Sequence, residues 1–184
     1  MLIKRRIFRF VTRLIWIKRM NRVLGLSLLI LYICFESGLA QSTKLPREVE
    51  NTLQKKFESW KMAEVDEAIS EYFKRTRPFE SPNLINGDWD GDGRTDFAAL
   101  LQRKTDPEKK IILVVMNKRN GFQNYFLEGF DCLMSIKKGE TEYDFEAKKN
   151  FKHKNDAIFS YIWEKAGTSY VWEKNRFRSI LTSD

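Results

Sequence analysis

Between Gly87 and Phe97 the chain reads GDWDGDGRTDF, placing Asp88, Asp90, Asp92 and Asp96 at positions 1, 3, 5 and 9 of one short loop. Four carboxylates this close repel one another unless something positive sits among them. Alternating side chains of a tight loop can all point inward, and a hard cation such as Ca²⁺ takes six to eight oxygens, so the spacing suits a cation cage. Arg94 holds position 7, where only a backbone carbonyl is needed, and Gly91 and Gly93 permit the sharp backbone turns. Without a metal the same residues would read as a polar, glycine-rich turn. Acid–base catalysis wants carboxylates that face one another across a cleft, which neighbours in one loop do not do.

The spacing begins like an EF-hand loop, but position 12 is Ala99 instead of the bidentate glutamate, and the residues that follow carry strand patterns. Gly87, Asp88, Asp90, Gly91, Asp92, Gly93, Asp96 and Phe97 resemble the calcium loop of FG-GAP and VCBS-type repeats, G-D-x-[DN]-G-D-G-x-x-D-hydrophobic. That resemblance implies a loop linking β-strands and held rigid by Ca²⁺. Asp88, Asp90, Asp92 and Asp96 would be side-chain ligands, and Arg94 would give its carbonyl. It covers about 20 residues, and the motif occurs once, so a multi-repeat propeller is not expected. The chain is more similar to small secreted bacterial proteins with a single such loop.

Other chemistry has little material. His153 is the single histidine and lies in the charged stretch NFKHKND, read as a solvated loop. Cys132 sits in the apolar run FDCLMSI, which predicts a buried thiol. Neither a Cys-His nor a Ser-His-Asp arrangement follows, no His/Cys cluster has zinc spacing, and no phosphate-binding loop is present. No catalytic residue is assigned. Glu64, Asp66 and Glu67 are the carboxylates that a cleft elsewhere would have to use.

The net charge of +8 invites a nucleic-acid reading. Residues 1–40 hold eight of the 33 Lys/Arg and one of the 25 Asp/Glu, so the chain beyond residue 40 carries 25 bases against 24 acids. The basic excess belongs to the leader, and no nucleic-acid partner is expected. Those residues run from Arg/Lys into VLGLSLLILYICF (23–35) and then SGLAQS, the order of a signal peptide with cleavage after Ala40. Met20 opens a compact signal peptide by itself and is an alternative start. An uncleaved anchor is the competing reading, and Cys34 lacks the small residues of a lipid-attachment site. Periplasmic or extracellular localisation follows from the cleaved reading. The mature part is then 41–184, one domain with Cys132 as its single cysteine and no intrachain disulfide.

The elements that must position the loop are of two kinds. Pro46 suits a first helical turn, and Val49, Leu53, Phe57 and Trp60 recur on one helical face. Val65, Ala68, Ile69, Tyr72 and Phe73 mark a second helix, with Lys74, Arg75 and Arg77 near its end and Pro78 and Pro82 stopping it. Beyond Pro82 the period changes to strands at 97–102, 111–117, 122–128, 132–138, 142–147, 157–165, 168–174 and 176–182. Turns are expected at Asp106-Pro107, Asn120-Gly121, Lys138-Gly139, Asn155-Asp156, Ala166-Gly167 and Lys174-Asn175.

The expected fold class is α+β: an N-terminal helical pair packed on a largely antiparallel sheet, burying Phe57, Trp60, Ile69 and Phe73. Phe159, Tyr161 and Trp163 share one strand face, either as core or as a platform for a glycan or protein partner. Lys148, Lys149, Lys152 and Lys154 read as a solvated loop. The expected function is a calcium-stabilised, non-enzymatic binding module. The alternatives are a cell-envelope hydrolase and an inhibitor of a secreted enzyme.

Overall fold

The structure is a computed structural model that describes residues 57–183, together with Arg47 and Glu50, which are helical. The expected leader and most of the expected first helix, Val49 and Leu53 included, lie outside the described residues. Within them the chain is mainly β, not the expected α+β; apart from the helical Arg47 and Glu50, the helix whose bounds are described is α1 (Glu67–Thr76).

Sheet A begins with β1 (Trp60–Met62), β2 (Leu84–Gly87) and β3 (Asp96–Arg103) and continues through β4 (Asp106–Lys118) and β5 (Gly121–Glu128). Its order is β1-β3-β4-β5, with β2 also pairing β3, and every pair is antiparallel. Sheet B combines β6 (Cys132–Ile136), β9 (Ala157–Ile162), β10 (Ala166–Glu173) and β11 (Arg176–Ser183) in the antiparallel order β11-β10-β9-β6. A separate hairpin joins β7 (Thr141–Asp144) to β8 (Lys149–Lys152).

Strand alternation sorts the apolar residues into layers. Ala98, Leu100, Ile112, Val114 and Met116 of sheet A pack with Leu133, Ile158 and Tyr170 of sheet B, so the main core lies between the two sheets. The opposite parity, Ala99, Leu101, Leu113 and Val115, forms a second cluster capped by Phe57, Trp60 and Met62. Because both faces of β3 and β4 are covered, these strands read as near-continuous apolar runs.

The far face of sheet B receives α1. Asp66 caps this helix by accepting a hydrogen bond from the Ala68 amide at 2.8 Å, and Glu67 lies in the first turn while Lys74 and Arg75 close the last, as the dipole favours. Ile69 and Phe73, one turn apart, are buried against Cys132 of β6. Burying two such side chains contributes about 1.5–3 kcal/mol each.

Trp60 departs from the helical expectation. It pairs with Arg103 in the β1–β3 ladder, and its amide donates to the Phe57 carbonyl in a turn. An aromatic at helical spacing from Phe57 serves equally well on a strand. Asp106 and Pro107 open β4; the connection before them is the turn at Lys104-Thr105. The β9–β10 turn falls at Trp163–Lys165, ahead of Ala166-Gly167. The β10–β11 turn is where the sequence places it: Lys174 and Asn175 have φ of 50° and 62°, the paired left-handed residues of a tight hairpin. No helix among the described residues is long and apolar enough to cross a membrane.

Candidate metal centre

The aspartate loop is the connection between β2 and β3. Gly87 pairs with Asp96 at the end of the β2–β3 ladder, so the two ends of the loop are fixed side by side. Gly91 has φ +77° and Gly93 φ +82°, which L side chains rarely adopt. At Gly91 an added Cβ would also lie 2.5 Å from the Asn155 side-chain oxygen. Trp89 turns inward and is fully buried in the inter-sheet core, anchoring the loop from beneath.

Three carboxylates converge: Asp88, Asp90 and Asp96 each offer an oxygen, and these oxygens lie within 4.8 Å of one another. Asp96 is buried and accepts from the Asn117 amide at 2.7 Å and the Trp89 amide at 3.0 Å. Burial pushes its carboxyl up to about 6; the two amides pull it down, and the charges of Asp90 and Asp92 push it up again. Asp88 accepts from the Gly93 amide at 2.9 Å through one oxygen, while its other oxygen, Oδ1, is buried with no hydrogen-bond partner.

Asp92 is not in this group. Its exposed carboxylate accepts from the Arg94 amide at 2.9 Å and the Arg94 guanidinium at 2.8 Å, and that amide bond is the main cause holding its pKa below the usual range. Arg94 thus acts through its side chain on Asp92.

Two contributors have no signal in the motif. Lys118, at the end of β4, places its ammonium on Asp90 and lies 5.1 Å from the centroid of the Trp172 ring. Burial alone would lower its pKa, but Asp90, Asp96 and Asp92 together hold it above the usual lysine value. Asp156, before β9, accepts from the Asp88 amide at 3.3 Å, and its own amide donates to the Asp88 carbonyl at 3.2 Å. Asn155 donates to the Trp89 carbonyl at 3.3 Å. The loop is therefore tied to the segment that enters sheet B.

The remaining candidates fall apart as a catalytic set. Glu64 pairs with Lys61, Asp66 is spent on the helix cap, and Glu67 is exposed in the first helical turn. Cys132 is fully buried, and burial, with the charge of Asp131, pushes its thiol up to about 12, so it is a poor nucleophile.

His153 is 4 % exposed, not solvated as its charged neighbours suggest. Its Nε2 lies 2.7 Å from Glu142, which also accepts from the Ser169 hydroxyl at 2.5 Å. The carboxylate stands between the histidine and the serine, an order that joins strands and gives the imidazole no serine proton to take. Phe159 is buried, whereas Tyr161 and Trp163 are half-buried. Lys148, Lys149, Lys152 and Lys154 are exposed as read from the sequence, but Lys149 and Lys152 bound strand β8 and do not lie in a loop. No protein-family model matches the chain, and no curated protein and no solved structure matches it.

Proposed function

We propose that this chain is a secreted or periplasmic, non-enzymatic binding module whose fold is stabilised by one Ca²⁺ in the loop Asp88–Asp96. The observation that carries the reading is the convergence of Asp88, Asp90 and Asp96, with a buried Asp88 oxygen that has no partner. Carboxylates are the ligands a hard cation takes, and three of them leave room for the carbonyl of Arg94, for Asp92 after a side-chain rotation, and for water. Burial is the main cause that raises the Asp96 carboxyl, and a cation would offset both it and the smaller repulsion from Asp90 and Asp92. Binding to the folded loop and not to the unfolded chain adds stability by mass action, about 2.7 kcal/mol at 100 times the Kd. The leader, read as a signal peptide, supports export, and extracellular sites bind calcium with Kd of about 10⁻⁴–10⁻³ M.

A terbium titration of the protein tests this reading, because Trp89 lies inside the loop and can sensitise the lanthanide. Saturable emission, displaced by calcium, lost in Asp90→Asn and accompanied by a calcium-dependent rise in Tm, is expected. No emission and no thermal shift at millimolar calcium would leave Lys118 as the counter-charge of Asp90 and refute the metal reading.

A further inference from the structure

Beside α1, sheet B carries a pocket of about 300 Å³ lined by Tyr72, Met134, Phe159, Tyr161, Trp163 and Glu164. Its walls are aromatic and stand at steep angles. The rings of Tyr72 and Trp163 are 5.2 Å apart at 69°, and those of Tyr161 and Trp163 are 6.2 Å apart at 80°. Phe159 stacks beneath Tyr161 at 5.8 Å and is itself buried. One set of rings comes from alternate residues of β9 and the turn after it, the other from the helix packed above. The result is a steeply angled aromatic corner, part core through Phe159 and part accessible through Tyr161 and Trp163, where the sequence left core and platform both open.

The electrostatics of the corner have one sign. Glu164, held at φ 57° in the β9–β10 turn, is the only charged residue in the lining, and no Lys, Arg or His joins it. Among the described residues its carboxylate makes no ion pair. The neighbouring Lys165 acts on Asp131. Ring faces are negative, so a carboxylate beside three of them adds to a field that attracts cations and repels anions.

We propose that this pocket binds a quaternary ammonium group, a cation whose charge is spread over methyl groups. Three features select that class. A primary ammonium is strongly hydrated and gives up more water on entering the corner than a trimethylammonium, which has little hydration to lose. A sugar needs a fringe of paired donors and acceptors, and the polar atoms here are two phenol hydroxyls, one indole N–H and one carboxylate. A neutral apolar guest would fill the corner and draw nothing from the Glu164 carboxylate at its rim. The volume lies at the small end of ligand sites, which fits a head group better than an extended molecule. The pocket shares no lining residue with the aspartate loop, so it stands or falls independently of the calcium reading.

The test compares choline with its neutral carbon isostere, 3,3-dimethylbutan-1-ol, against the whole chain in calcium-containing buffer. Saturation-transfer NMR of the ligand methyl protons and calorimetry provide the readouts. Choline should bind saturably and at least about tenfold more tightly than the isostere, the ratio expected for a cation worth about 1.4 kcal/mol or more over its neutral shape. Glu164→Gln, a change at an exposed turn residue, should weaken choline about three- to tenfold and leave the isostere unmoved. Trp163→Ala should abolish saturation transfer to choline. Co-sedimentation with phosphatidylcholine vesicles, using phosphatidylglycerol vesicles as the control, separates the two sources of the group. Retention on the former means a lipid head group, and binding of free choline without retention means a soluble ligand. Equal affinity for choline and the isostere, or no choline binding in a wild-type chain that melts cooperatively, would overturn the proposal.

Discussion

Replacing Lys118 by methionine separates the roles of the ammonium and of a metal in the aspartate loop. The ammonium contacts Asp90, whose side chain is 8 % exposed, while that of Lys118 is 29 % exposed. An exposed pair contributes about 0–1 kcal/mol, and breaking a fully buried one costs about 3–5 kcal/mol. This pair sits between those limits, and its removal leaves Asp90 beside Asp88 and Asp96 with no counter-charge, so about 2 kcal/mol is expected. The ammonium also lies 5.1 Å from the centroid of the Trp172 ring, and methionine, of similar length, replaces that cation–π contact with a thioether against the ring. For a domain of this length 2 kcal/mol corresponds to a fall in Tm of about 4–8 °C in the absence of divalent ions. In terbium the order reverses, because an incoming ion no longer displaces an ammonium. If the 2 kcal/mol is regained on binding, affinity rises by about 30-fold. Parallel melts in chelator and in calcium, with terbium titrations of both chains, provide the assay. A variant that melts like the wild type in chelator, or that binds terbium more weakly, would show that Lys118 does not neutralise the cluster.

Three further outcomes follow from named contacts. A Cβ at Gly87 would lie 2.3 Å from the buried Trp89 ring, so Gly87→Ala should cost about 1–3 kcal/mol in urea denaturation, and a neutral result would mean that the ring can shift. The Cys132 thiol, buried and pushed up to about 12, should not react with a disulfide reagent at pH 8 until the chain unfolds; rapid labelling of native protein would contradict that burial. Burial would raise the Asp131 carboxyl, but Lys110 and the Trp163 amide outweigh it and hold the pKa below 3.8. The folded state thus binds fewer protons than the unfolded one, so this contribution is present above pH ~4 and lost as pH falls through the folded pKa. Asp131→Asn should therefore flatten the acid limb of a pH–stability curve measured below pH ~4, and an unchanged limb would refute it.

The strands of both sheets were legible because their period is carried by large side chains. Ile111 to Met116 and Ala157 to Ile162 are too apolar and too branched to read otherwise. Short or polar strands were not legible. In β2, LING, the Asn-Gly pair resembles a turn; in β8, KNFK, charge hides the alternation. Trp60 fitted a helical face and a strand equally, and its pairing with Arg103 is a tertiary decision. At the loop, the spacing named Asp88, Asp90 and Asp96, which converge, but treated Asp92 as their equal although Arg94 engages it. Nothing local marks Lys118 or Asp156, which are 28 and 68 residues away from their loop partners. His153 was misread for the same reason: its cover comes from Glu142 across the β7–β8 hairpin.

The reciprocal pair of bonds between Asp88 and Asp156 also has a kinetic meaning. It joins residues 68 apart, across the boundary between the two sheets. Closing so long a loop is entropically costly, so such a contact is expected to form after the local hairpins have zipped and to contribute little to the folding nucleus. Interactions that form late slow unfolding without hastening folding. Ligand-driven tightening of this clasp would therefore lengthen the lifetime of the native state and leave the refolding rate nearly unchanged. Under the export proposed above, lifetime would be the form of stability that matters, because a molecule that unfolds outside the cell is lost to proteolysis or aggregation.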